Sequence, residues 1–243
     1  MEKEIKRIIQ KKLEHKQQFT NRDLQNILHK FNPQVSSSAH AWWINKLKND
    51  GFISHVGRGI YSFQHKKEYK PELSRKAKQF YNKTYKLLPK NTPLLMYENF
   101  SVDDILGIER MNHFIFMHVP KEHLEFFFYD ILHLGKRVFI KPGKEVTERY
   151  ITPFSESVIL YPLLSDMPFL TIGAYKTLSM EGMLVHSIIF GEEYYRARAI
   201  DMKYAFKVAM DNYNVNISKL LRYAARRERK KQIVAILSEL GYI

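Results

Sequence analysis

Apolar residues along this chain recur first with helical spacing and later in short uninterrupted runs. Ile5, Ile8, Ile9 and Leu13 share one face and predict an amphipathic helix. Thr20-Asn21-Arg22-Asp23 has the form of a capping box, in which the Asp23 amide donates to the Thr20 hydroxyl and the Asp23 carboxylate reaches back. Leu24, Ile27, Leu28 and Phe31 follow at i, i+3, i+4 and i+7 and predict a second helix. Asn32-Pro33 ends it, because proline lacks an amide donor and restricts the residue before it. Ser36, Ser37 and Ser38 offer N-caps for a third helix, with Trp43, Ile44 and Leu47 as its apolar stripe and Gly51 as its stop. Phe52–Val56 and Ile60–Phe63 predict two short strands joined by Gly57-Arg58-Gly59. Three helices and a hairpin are the order of a winged helix-turn-helix, here residues 1–68.

Beyond a polar stretch at 64–75 that holds Pro71, the pattern changes. Leu94–Tyr97, His113–Val119, Arg137–Ile140 and Val158–Tyr161 are apolar runs of strand length, and Lys121–Leu134 and Gly143–Tyr150 between them predict helices. Phe126 to Tyr129 covers more than one side of its helix, which predicts burial on several sides, with an apolar docking surface as the alternative. The last third reads as helical. Ile217, Leu220, Leu221 and Ala224 share a face behind Asn216 as N-cap, and Ile233, Ile236, Leu237 and Leu240 share another. The basic run 226–231 between them is either a solvated junction or a contact for phosphate or an acidic partner. The fold class expected is α+β: an N-terminal winged helix-turn-helix, then a mixed α/β region and a C-terminal helical bundle. The domains expected are 1–68 and 69–243.

The third helix carries the candidate chemistry. With its core direction along Trp43, Ile44 and Leu47, the residues Ser38, Trp42, Asn45 and Asn49 point away from the core and Lys46 lies on the flank. In a helix-turn-helix that outward face enters the major groove. Asparagine pairs bidentately with adenine, and serine hydroxyls such as those of Ser37 and Ser38 hold phosphates. Arg58 at the wing tip reaches a minor groove or the backbone. Thr20, Asn21 and Arg22 at the second helix's start are placed to clamp a phosphate. Trp42 suits DNA, another domain or a dimer partner equally. His40 falls on the core side and is expected to be buried and satisfied.

Charge sharpens this reading. Of 243 residues, 39 are Lys or Arg and 25 Asp or Glu, a net charge of +14. The excess sits at the ends: +8 over residues 1–70, +1 over 71–170 and +5 over 171–243. Such a balance favours a polyanionic partner, nucleic acid first. There are no cysteines, which excludes disulfides, thiolate nucleophiles and cysteine-ligated metals. A charged N-terminus and the want of any long apolar run predict a soluble cytoplasmic protein without membrane contact. No HExxH, glycine-rich phosphate loop or nucleophile elbow is present. His118 and His123 fit no common metal spacing. Asp103-Asp104 reads as helix N-terminal acids rather than a metal pair. Neither an enzyme, a cofactor nor a metal is expected.

The stretch VSSSAHAWWINKLKNDGFISHVGRGIYSF at 35–63 resembles the N-terminal winged helix of the AbiEi antitoxin family of type IV toxin–antitoxin and abortive-infection systems. The helix ending at Leu47, the glycine at 51 and the wing closing Gly57-Arg58-Gly59-Ile60-Tyr61 carry the likeness. Thr177–Glu181 running into GMLVHSII, and NISKLLRYAA at 216–225 followed by a basic turn and a helix ending Leu240-Gly241-Tyr242, are similar to that family's helix start and tail. The resemblance implies a repressor of its own operon that binds double-stranded operator DNA through the winged helix. It also implies an antitoxin that neutralises a nucleotidyltransferase-like toxin through the region after residue 85. Repressors built this way bind inverted repeats as dimers, so a homodimer on DNA is expected. The alternative is a winged-helix protein–protein module without specific DNA binding.

Overall fold

The computed structural model describes residues 2–31, 33, 36–63, 66–99, 103–105, 112–154, 156–194 and 199–243; at 37, 192, 193 and 199–201 it describes the backbone alone. The chain is α+β and divides into two compact units. Unit 1 comprises 1–68 with 211–216 and Tyr242, and unit 2 comprises 69–210, 217–241 and Ile243.

In unit 1, α1 (Glu2–Leu13), α2 (Asn21–Phe31) and α3 (Ser37–Asn49) bury Ile5, Ile9 and Leu13, Leu24, Ile27 and Leu28, and Ile44 and Leu47 in one cluster with Phe19, Ile53 and Tyr61. The Thr20 amide donates to the Asp23 carboxylate at 2.7 Å and the Asp23 amide to Thr20 Oγ1 at 3.1 Å, which satisfies two orphan donors at the start of α2. Ser36 caps α3 by accepting from the Ala39 amide at 3.3 Å. Phe31, expected in the α2 stripe, is 36% exposed and is the last residue of the helix. β1 (Phe19–Thr20), β2 (Ser54–Gly57) and β3 (Ile60–Ser62) form an antiparallel sheet in the order β1-β3-β2. The turn between β2 and β3 is tight, and Gly59 takes φ +69°, a conformation costly for any residue with a Cβ.

A late segment completes this unit. The Lys67 amide donates to Asn212 O at 2.8 Å, the Asn214 amide to Lys67 O at 3.2 Å and Gln18 Nε2 to Val215 O at 2.6 Å. Val215 is buried. A Cβ on Gly57 would meet Asn216 Nδ2 at 1.9 Å, so Gly57 is where β2 and this segment approach too closely for a side chain.

Unit 2 is built on a six-stranded mixed sheet in the order β6-β7-β5-β4-β9-β8. Its strands are β4 (Leu95–Glu98), β5 (His113–Val119), β6 (Val138–Ile140), β7 (Glu156–Pro162), β8 (Phe169–Ile172) and β9 (Tyr175–Leu178). β5, β6 and β7 run parallel, with Phe116 opposite Ile159, while β4 pairs antiparallel to β5. Side chains alternate across the sheet. Met96, Met117, Val119, Val158 and Leu160 face α4 (Arg75–Tyr85) and α5 (Leu124–His133). Tyr97, Phe116 and His118 face α6 (Met180–Tyr194), where Phe116 and Phe190 lie 5.6 Å apart. The start of α4 is tied to β4: buried Glu98 accepts from the Ser74 amide at 2.6 Å and from Ser74 Oγ at 2.8 Å. α7 (Ala199–Asn212), α8 (Ile217–Arg226) and α9 (Lys230–Glu239) follow.

Several expectations need correction. Thr177 and Leu178, read as a helix start, end strand β9, and the helix begins at Met180. β8 and β9 interrupt what read as a purely helical last third. α5 is buried along one stripe, Leu124, Phe127 and Ile131, rather than on several sides, and Phe126 is 77% and Tyr129 58% exposed. Among the described residues no helix is long and apolar enough to cross a membrane.

Candidate functional site

The outer face of α3 follows from its capped start and its amphipathic spacing. Ser38, Trp42, Asn45 and Asn49 are exposed, one turn apart, because Ile44 and Leu47 turn the opposite side into the core. The Ser38 and Ser36 hydroxyls lie 2.9 Å apart. The side chain of Ser37 lies outside the described residues. Trp42 is 57% exposed and packs edge-on against Trp43 at 5.1 Å. Lys46 sits 5.8 Å from the Trp42 ring and also lies 3.3 Å from Glu2 and 3.9 Å from Asp50, so part of its charge is spent within the unit.

The other candidates divide. Arg58 is exposed at the β2–β3 turn and Arg22 is exposed at the start of α2. The Thr20 hydroxyl is committed to its cap, donating to Asp23 at 2.8 Å. Asn21 is half-buried. Its backbone amide donates to Gly59 O at 2.7 Å and its enclosed Oδ1 has no hydrogen-bond partner, so its side chain packs against the β2–β3 turn instead of facing out. His40 is half-buried and its enclosed Nε2 has no hydrogen-bond partner, which corrects the expectation of a satisfied histidine.

Unit 2 holds a polar network that the residue pattern did not single out. Tyr97 on β4, His186 on α6 and Tyr223 on α8 form a chain: Tyr97 OH to His186 Nδ1 is 2.7 Å and His186 Nε2 to Tyr223 OH is 2.8 Å. A neutral imidazole has one N–H, so one tyrosine donates to the ring and the other accepts from it. The His118 ring lies 5.5 Å from that of His186, tilted by 45°, and its Nε2 is enclosed with no hydrogen-bond partner. Burial pushes His186 well below the ordinary histidine range, helped by the neighbouring His118 and Arg227, and pushes His118 down to about 3. Burial raises the Tyr223 hydroxyl to about 12. Both histidines are therefore neutral at pH 7. The arrangement joins sheet, α6 and α8; all its rings are buried, and it offers no open face to a substrate.

The basic run 226–231 is not wholly solvated. Arg226 pairs with Asp166 at 3.4 Å on the surface, whereas Arg227 turns inward, with an enclosed Nε that has no hydrogen-bond partner. Among the described residues no group of three or more His, Asp and Glu side chains is placed to hold a metal ion.

Comparison with known proteins gives one family: a model described as a family of unknown function (DUF6577) matches residues 39–242. No curated protein matches the chain.

Proposed function

The chain belongs to this family of unknown function, and we propose that it is a DNA-binding repressor that also neutralises a partner protein. Unit 1 acts as a winged helix-turn-helix, with α3 in the major groove of operator DNA and the β2–β3 turn on the adjoining backbone or minor groove. The observation that carries this reading is the exposed row Ser38, Trp42, Asn45 and Asn49, together with exposed Arg58. Asn45 and Asn49 supply the adenine-reading chemistry, Ser38 and Arg22 contact phosphate, and Lys46 contributes as a partly compensated charge. The net charge of +14 supports it.

The partner is a nucleotidyltransferase-like toxin, as the resemblance to AbiEi antitoxins implies. Its docking is supported by the outward aromatic stripe of α5, since exposed rings of that size in a row mark interaction surfaces. Action on an operon places the protein in the cytoplasm, as a homodimer on an inverted repeat. A second reading, a winged helix used only for protein docking, draws on the exposure of Trp42.

Fluorescence anisotropy decides between them. The DNA upstream of the gene is compared with a scrambled duplex at two salt concentrations. Tighter, more salt-resistant binding to the native duplex is expected. Replacing Asn45 and Arg58 by alanine should weaken it about tenfold or more, since a bidentate base contact contributes about 1–3 kcal/mol. Equal, weak, salt-sensitive binding to both duplexes would leave only the docking reading.

A further inference from the structure

Unit 1 carries a second basic surface, outside α3 and the wing. A groove of about 300 Å³ opens where the end of α1 faces α2, lined by Lys12, His15, Lys16, Asp23, Asn26 and Lys30. Three ammonium groups meet one carboxylate there. Lys16 spends its charge on that carboxylate, at 2.8 Å. Lys12 and Lys30 have no ion-pair partner among the described residues and are exposed. Burial would raise the Asp23 carboxyl, but hydrogen bonds from Lys16 and Thr20 outweigh it and hold the group at about 2, so it is ionised and internally compensated. The C-terminal dipoles of α1 and α2 favour a lysine each, but a terminus carries only about half a charge. The groove is thus left with an excess of positive charge.

Its position links it to the proposed DNA face. Asp23 is both a wall of the groove and the capping partner of Thr20, so the groove begins where α2 presents its N-terminus and Arg22. From Asp23 to Lys30 the helix rises about 10 Å, which at 3.4 Å per nucleotide of axis covers about three phosphates of one strand.

We propose that this groove is a phosphate-binding site for the nucleic-acid backbone, with Lys12 and Lys30 holding the phosphates. The site extends the interface from the start of α2 to the end of α1. It rests on the DNA-binding reading of unit 1. It positions without reading sequence, because the lysines are point charges aimed at backbone oxygens.

The test is a salt series with the full chain, comparing wild type with the Lys12→Gln/Lys30→Gln double variant on the native and scrambled duplexes. The plot of log affinity against log salt should become shallower by about 0.9 for each phosphate no longer neutralised, hence about 1.8 for both. Affinity should fall on both duplexes by one common factor, leaving the preference for the native sequence unchanged. The Lys12→Arg/Lys30→Arg variant should keep the wild-type slope. Wild-type binding with a slope that the glutamines leave untouched overturns the groove while the DNA reading stands. Wild-type protein that binds neither duplex overturns both. Inorganic phosphate shifting the amide resonances of 12–30 in wild type but not in the glutamine variant, with no change in DNA slope, would make the groove a free-anion site and overturn the backbone assignment.

Discussion

At the scale of single residues, the most constrained group is His186. Both ring nitrogens are held by tyrosine hydroxyls in a site closed to water. Tyr223→Phe removes one hydroxyl, fills nearly the same volume and leaves a ring nitrogen buried without a partner. That desolvation penalty is about 1–3 kcal/mol. Urea denaturation should show the loss as a lower midpoint at unchanged slope; a midpoint equal to wild type would mean that the network contributes nothing. The residue pattern marks His186 poorly, because one histidine in an apolar helical stretch looks the same whether it is bonded at both nitrogens or at none. The tyrosines that complete it lie 89 and 37 residues away.

At the scale of elements, helices with a single apolar stripe were legible. Leu24, Ile27 and Leu28, and Ile233, Ile236 and Leu237, are buried at the spacing that announced them. The Thr20–Asp23 cap was legible for the same reason, since its partners are three residues apart. α5 was not. Four consecutive aromatic residues give no preferred direction, so periodicity could not say which rings face the sheet. The sheet decided: Phe127 is 1% exposed and Phe126 77%. Phe127→Ala should cost about 3–5 kcal/mol through the cavity it leaves. Phe126→Ala should stay within about 0.5 kcal/mol of wild type, as surface changes do. Thermal unfolding of the two variants checks this, and equal losses would contradict the one-sided burial of α5.

At the scale of the whole molecule, the buried histidines set an acid limit. Their folded-state pKa values lie below the unfolded value of about 6.5, so the unfolded chain binds protons that the native one refuses. Stability is therefore fully present above about pH 6.5 and falls as the pH drops below it, for His118 down to about 3. Between about pH 7.5 and 5.5 His118 alone should cost on the order of 1 kcal/mol, and His186 acts in the same direction. Asp23 has the same sign in a lower window, from about 3.9 to about 2. Denaturant midpoints measured across this range should fall towards acid. A flat profile to pH 5.5 would mean that the histidines are not buried as neutral groups.

The sequence by itself determined the three N-terminal helices, the short hairpin after them, the four apolar strands from Leu94 to Tyr161 and the basic ends of the chain. Each of these is written in residues that neighbour one another, so propensity, capping and periodicity suffice to read it. Tertiary structure alone decided that 211–216 completes unit 1, that β8 and β9 extend the sheet and that His186 meets two distant tyrosines. It also decided that Asn21 turns under the β2–β3 turn and that lysines of two helices share a groove. These pairings join segments far apart in the chain, where the deciding term is which surfaces exclude water from one another, and no local pattern records that.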